Sequence, residues 1–223
     1  METRGEELTL QPEETALIII DMQNGYCSPN GGLARGGADV RNQARIVPNV
    51  VALARACRAA GVTIIWVTQE HYQEDVTRKR HRIPSHLDKR GVFPALRRTP
   101  DAELVAELRP EMLTTDERVI KHRMSSFYST TLDAKLQMLG ITTLIICGVA
   151  TNVCVESTVR DAYFRDYDII VVRDCVASSF PDLHAATLKN VEIYFGRVVS
   201  LSELQAMLSA STAAQAARVE TAS

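Results

Sequence analysis

The chain opens without a targeting signature: METRGEELTLQPEE is polar and acidic and carries no apolar h-region, so no secretory signal is expected. Long hydrophobic runs are equally missing. The stretch Leu17–Ile20 ahead of Asp21 falls far short of the roughly 20 apolar residues a bilayer span needs, and no membrane partner is expected. An excess of one charge is missing too: 25 Lys+Arg against 27 Asp+Glu leaves a formal net charge of -2, so no global field recruits nucleic acid. Cys27, Cys57, Cys147, Cys154 and Cys175 form no CxxC pair and no metal-knuckle spacing, which argues against a redox dithiol or a structural zinc site. They read as reduced thiols of a cytoplasmic protein, with Cys57 and Cys147 as small core residues. Glycines 31, 32, 36 and 37 do not supply the GxGxxG spacing of a dinucleotide-binding oxidoreductase.

What is present fits one domain over residues 15–208, preceded by an N-terminal arm (1–14) and followed by an Ala/Ser-rich tail (209–223) expected to fray. Ala16–Asp21 is a continuous apolar run ending in an acid, as in a strand covered on both faces. Val62–Val67, Arg118–Lys121, Thr142–Cys147, Asp168–Val172 and Arg197–Ser200 read as further strands. Helices are expected at Pro48–Ala60 with Gly61 as its C-cap, at Glu103–Leu108, at Thr131–Leu139 ending at Gly140, from Asn152 to about Arg165, at Leu183–Tyr194 and at Leu201–Leu208. Between Thr68 and Thr99 lies a long polar stretch rich in Arg and Lys, of a length that is usually functional or part of an interface.

Strands alternating with helices imply an α/β fold, a six-stranded parallel sheet doubly wound with helices on both faces. Its strand C-termini then share one edge, and ligands bind outside that edge where the strand order reverses. Asp21 ends the first strand, Lys121 ends the third, and Cys154 follows the fourth by one turn. A cysteine near a helix start beside a lysine is expected to have a lowered thiol pKa. An aspartate can take the thiol proton and later pass it to a leaving amine. Taken singly, each residue also fits a turn, a cap or a buried side chain.

The segments ALIIIDMQNGY, KHRMSSFYSTTLDAKL and GVATNVCVESTVRDAYFRDY resemble the isochorismatase-like cysteine hydrolases, from about Thr15 to Leu208. The resemblance implies a Rossmann-like six-stranded sheet, a homo-oligomer (dimer or tetramer), and a catalytic triad of Asp21, Lys121 and Cys154. It also implies a cis peptide at Val149–Ala150, with the Ala150 and Cys154 amides as the oxyanion hole. The metal motif of the nicotinamidases, Asp-x-His with a further His, is absent, because this region reads Gln69-Glu70-His71-Tyr72. No metal or other cofactor is therefore expected, and His71, His81 and His86 read as solvated or locally hydrogen-bonded. The isochorismatases proper lack the cysteine, which leaves the amide-cleaving branch. There the wording is most like enzymes that cut the terminal carbamoyl group of small ureido or N-carbamoyl compounds, with ureidoacrylate, biuret or triuret as substrate. Against the ureidoacrylate pattern, His71 stands where Trp is expected and Met124 where Tyr is expected.

Gln23 and Gln69 are the candidate polar readers of such a substrate. Phe127 either walls the pocket or packs in the core. The basic stretch Arg78–Arg98 supplies a carboxylate clamp, forms a subunit contact or stays solvated; without the clamp a neutral substrate becomes the better fit. The rival readings are a hydrolase of another small amide, nicotinamidase-like or maleamate-like, and a catalytically silent binding protein on the same fold.

Overall fold

The computed structural model describes residues 10–79 and 82–222. Six strands, β1 (Thr15–Ile20), β2 (Thr63–Gln69), β3 (Glu117–Lys121), β4 (Thr143–Val149), β5 (Asp168–Ala177) and β6 (Arg197–Val199), form one sheet in the order β3-β2-β1-β4-β5-β6. All five pairings are parallel. The order reverses between β1 and β4, which makes the gap beyond their C-terminal ends the natural crevice of the fold.

Alternation along β1 sends its side chains to two separate cores. Leu17 and Ile19 meet Val50, Leu53 and Cys57 of α1 (Val47–Ala59) together with Leu204 and Leu208 near the chain's end. Ala16, Ile18 and Ile20 face Leu132 and Leu136 of α2 (Leu132–Met138) and Val159 and Ala162 of α3 (Glu156–Tyr163). Both faces are covered, which is why every residue of β1 is buried. Gly61 and Gly140 end α1 and α2 at φ 80° and 68°, a left-handed conformation that glycine adopts without steric cost.

The expected elements recur with some differences; β5, expected to end at Val172, runs on to Ala177. No helix forms over Glu103–Leu108. Leu104 instead bridges to Gln23, and turns follow a short 3-10 segment at Pro100–Ala102. Pro181–Asn190 is the helix α4 and starts at its proline, and a π-turn at Val191–Phe195 replaces its expected last turn. Leu201–Ala222 is one helix, α5, so the frayed tail expected from residue 209 is helical through 222. Its alanines carry high helix propensity, and its first turns are anchored by Leu204 and Leu208 in the core. In the N-terminal arm Leu10 is buried, and residues 1–9 lie outside the described residues, as does His81. Among the described residues no helix is long and apolar enough to cross a membrane.

Gly148 permits a close approach of β4 to β1. Its φ is 112°, and a Cβ there would lie 2.0 Å from the carbonyl oxygen of Ile20. The β1–β4 seam, which carries two of the three candidate catalytic residues, therefore requires glycine. Gly148→Ala is expected to cost about 3 kcal/mol or more in urea unfolding. An unchanged midpoint would show that β1 and β4 can separate without loss.

Candidate active site

The C-terminal edge of the sheet delivers three side chains to one point. The β1 ladder extends one residue past Ile20, since the Asp21 amide donates to the Val67 carbonyl at 2.9 Å. The chain then turns sharply, with Asp21 at φ 53°, a left-handed conformation more open to Asp than to most residues. Lys121 is the last residue of β3, paired in register with Gln69 at the end of β2. Beyond β4, the Val149–Ala150 peptide is cis and a π-turn at Thr151–Val155 lifts Cys154 over the edge. The Thr158 hydroxyl braces that turn: it donates to the Cys154 carbonyl at 2.7 Å and accepts from the Ser126 amide at 3.0 Å.

Lys121 is the hub. Its Nζ lies 2.7 Å from Asp21 Oδ2 and donates to Gln69 Oε1 at 2.8 Å, the Arg123 carbonyl at 3.1 Å and Cys154 Sγ at 3.4 Å. The Asp21 carboxylate and the Lys121 ammonium form a charge-assisted pair, both side chains being buried, and the Cys154 thiol also reaches the carboxylate. Burial raises the Asp21 pKa above the ordinary carboxylate value, with Lys121 pulling against it. For Lys121, burial works to lower the pKa, but the Asp21 and Cys154 charges outweigh it and the net shift is upward. The ammonium is thus retained and the aspartate is a stronger base than usual.

The expected lowering of the Cys154 thiol does not occur. Burial pushes its pKa up to about 12, against the pull of Lys121. The thiol sits inside a buried π-turn rather than at an exposed helix start, so desolvation of the thiolate outweighs the nearby cation. In the resting site the sulfur is therefore a protonated thiol.

Cys154 opens onto a cavity of about 750 Å³, lined also by Ala150 and Gln69 among others, with Asp21 and Lys121 buried behind it. The other sequence candidates divide. Gln69 is at the site, but its Oε1 positions Lys121. Gln23 lies outside the cavity lining: it accepts from the Gln69 amide at 2.8 Å and donates to the Gln69 and Ala102 carbonyls at 2.9 and 2.7 Å, so its carboxamide is engaged in stitching loops together. Phe127 does not wall the cavity. It packs in the core, stacked on Tyr167 at 5.9 Å with the Arg165 guanidinium 4.8 Å away.

Of the basic stretch, Arg78, Lys79 and Arg90 line the cavity, whereas Arg97 pairs with Glu70 at 3.2 Å. Arg123, from the KHRMSSF segment, joins the lining and shares the Asp75 carboxylate with Arg78, at 2.9 and 3.0 Å. His71, expected to be solvated or locally bonded, is buried and hydrogen-bonded to Tyr26, 45 residues away. Sequence reading passed over Tyr26, Asp75 and Arg123. For His71 a signal existed: it lies two residues from Gln69 in extended chain and so shares its side. Among the described residues no three His, Cys, Asp or Glu side chains gather in a way that could hold a metal ion.

Two measurements follow from this geometry. Alkylation of Cys154 by iodoacetamide, read by peptide mass spectrometry, should keep rising by roughly tenfold per pH unit past the ordinary thiol pKa of about 8.5. A plateau near neutrality would contradict a buried, raised thiol. Lys121→Met should cost roughly 3–5 kcal/mol in chemical denaturation, because it leaves Asp21 buried without its counter-charge.

The chain is similar to known proteins over nearly its whole length. Residues 15–203 match the isochorismatase domain family. The chain is 36% identical over 218 residues to ureidoacrylate amidohydrolase RutB of Methylobacterium radiotolerans, covering 92% of this chain and 83% of that protein. It is likewise 36% identical to the Cronobacter turicensis ureidoacrylate amidohydrolase RutB, over 97% of this chain and 96% of the relative. Among solved structures, a cysteine hydrolase from Pseudomonas syringae pv. phaseolicola superposes with a TM-score of 0.80 at 27% identity, covering 95% of this chain and all of that one. With a six-stranded sheet wound in this order and a family match spanning nearly all of it, the chain belongs to the isochorismatase domain family.

Proposed function

We propose that the protein is a cysteine-dependent amidohydrolase that cleaves the terminal C–N bond of a small ureido carboxylate of the ureidoacrylate type, releasing ammonia. One observation carries the reading: a buried Lys121 ammonium lies 2.7 Å from a carboxylate and 3.4 Å from the Cys154 thiol, and that thiol lines a cavity at the sheet edge. Identity of 36% to two ureidoacrylate amidohydrolases, over 92% and 97% of this chain, supports the substrate class.

In the proposed reaction Asp21 takes the Cys154 proton as Sγ bonds to the ureido carbon. Lys121 supports the growing negative charge on sulfur, offsetting the burial that holds the resting thiol protonated. The carbonyl oxygen becomes an oxyanion, for which the backbone amides of Ala150 and Cys154 are the donors. The C–N bond then breaks, and the proton held by Asp21 passes to the nitrogen, which leaves as ammonia. Water attacks the resulting thioester-like carbon and gives a proton to Asp21. The C–S bond breaks, the acid departs, and Asp21 returns its proton to sulfur.

The carboxylate end of the substrate is assigned to the basic part of the lining, where Arg78, Arg90 and Arg123 supply guanidinium groups. Asp75 holds two of these at fixed positions, so they are presented with little rotamer freedom left to lose.

The test is ammonia release from ureidoacrylate, biuret, triuret and nicotinamide by wild type and Cys154→Ala. Turnover of ureidoacrylate that falls by on the order of 10⁴-fold or more in the variant is the expected result. Preference for a neutral ureido compound would overturn the carboxylate assignment. Full activity in Cys154→Ala would overturn the mechanism.

A further inference from the structure

His71 has both ring nitrogens engaged at the cavity wall. Nδ1 faces Arg78 Nη2 at 3.4 Å, and Nε2 faces the Tyr26 hydroxyl at 3.3 Å. A guanidinium has only donors, so Nδ1 must offer its lone pair and the ring proton must reside on Nε2. The Nε2–H then donates to Tyr26, whose oxygen accepts and whose own proton is left uncommitted. The opposite tautomer would set an N–H against the guanidinium with nothing to receive it. Among the described residues the Tyr26 hydroxyl has no other hydrogen-bond partner, and both Tyr26 and Cys154 line the cavity.

The far end of this chain is anchored. Arg78 Nε donates to Asp75 Oδ2 at 3.0 Å, and the same oxygen accepts from Arg123 Nη1 at 2.9 Å. The Thr77 amide occupies the other Asp75 oxygen at 3.0 Å. Direction therefore runs one way, from a carboxylate-locked guanidinium through a neutral imidazole to a phenol facing the cavity.

We propose that Arg78 and His71 are positioning residues that fix the Tyr26 hydroxyl as a hydrogen-bond donor into the cavity, so that the substrate group seated against it is an acceptor oxygen, a carboxylate or carbonyl, rather than an N–H. The protonation states agree with this polarity. Burial, with Arg78 adding to it, takes the His71 pKa down to about 3, so the ring stays neutral through the physiological range. Burial, joined by the Asp21 and Cys154 charges, pushes the Tyr26 phenol well above its ordinary value, so it keeps the proton it is to donate. The inference deepens the function proposed above and rests on that reading for the identity of the substrate.

Two experiments test it. In ¹⁵N-histidine-labelled protein without substrate, the resonances lost in His71→Gln identify this ring, and they should report a protonated Nε2 and an unprotonated Nδ1. A proton on Nδ1 would overturn the proposal whatever the protein hydrolyses. In steady-state kinetics on ureidoacrylate, Tyr26→Phe should raise KM about tenfold with a smaller change in kcat, the loss of one hydrogen bond to bound substrate. His71→Leu should match it, the double variant should be no worse than either, and His71→Gln, which can accept from Arg78 and donate to Tyr26, should recover most of the loss. Losses that multiply in the double variant would show that His71 does not act through Tyr26. Absence of turnover by the wild type counts against the proposed function and not against the relay, which the spectrum decides alone.

Discussion

The fully buried ammonium of Lys121 constrains everything around it. Removing a lysine charge and an aspartate charge from water costs several kcal/mol for each ion, and their mutual attraction offsets that only when the remaining donors and acceptors are matched. Here the matching is supplied by four neighbours from separate parts of the chain: the Asp21 carboxylate, the Gln69 side chain, the Arg123 carbonyl and the Cys154 sulfur. Three parallel strands have to end at one level for this to happen. The adjacency of β3, β2 and β1 meets that demand, and the β1–β4 switch brings the thiol to the same place. The ion pair is thus less a source of stability than a constraint on how the sheet edge may be built.

Local backbone accommodates that constraint. Asp21 turns at a positive φ directly after its strand, and Gly148 lets β4 pass close against Ile20. The Thr158 hydroxyl ties the cysteine turn to the segment that follows Lys121, so thiol and cation are positioned by one shared set of hydrogen bonds. Gln23 performs the equivalent task on the other side, joining the loop after β1 to the end of β2 and to Ala102. These polar side chains satisfy backbone groups at an irregular, buried edge where the sheet ladder has ended.

The long basic segment is part of the same construction. Its ends are pinned where the His71 amide donates to Ala95 and the Arg97 amide donates to His71, at 2.8 and 2.9 Å. His71 therefore joins the ends of the segment with its backbone and reaches Tyr26, another residue of the cavity lining, with its ring. Asp75 gathers Arg78 and Arg123 into a positive surface at the cavity, compensated by one carboxylate for two guanidiniums. An unequal balance of this kind leaves positive potential for an anionic group, and a cavity with low-dielectric walls concentrates it.

How much of this was legible in the chain follows from the range of the interactions involved. The apolar runs, the glycines after helices and the alternation of strand and helix are local patterns, and they determined a doubly wound parallel sheet. The acid, the lysine and the cysteine at three strand ends followed from that topology, because parallel strands share one functional edge. Residue fates set by distant partners were not legible. Gln23 carries the same amide as Gln69, yet it is spent on carbonyls 46 and 79 residues away. Phe127 turned to the core because Tyr167 and Arg165 supply it with a stacking face. The Cys154 thiol shows the division most sharply: a lysine and a helix start, read locally, argue for a low pKa, whereas the burial that only the packed structure imposes raises it. Sequence specified which chemical groups meet at the edge; tertiary structure decided their protonation and partners, because desolvation depends on everything packed around a group and not on its neighbours in the chain.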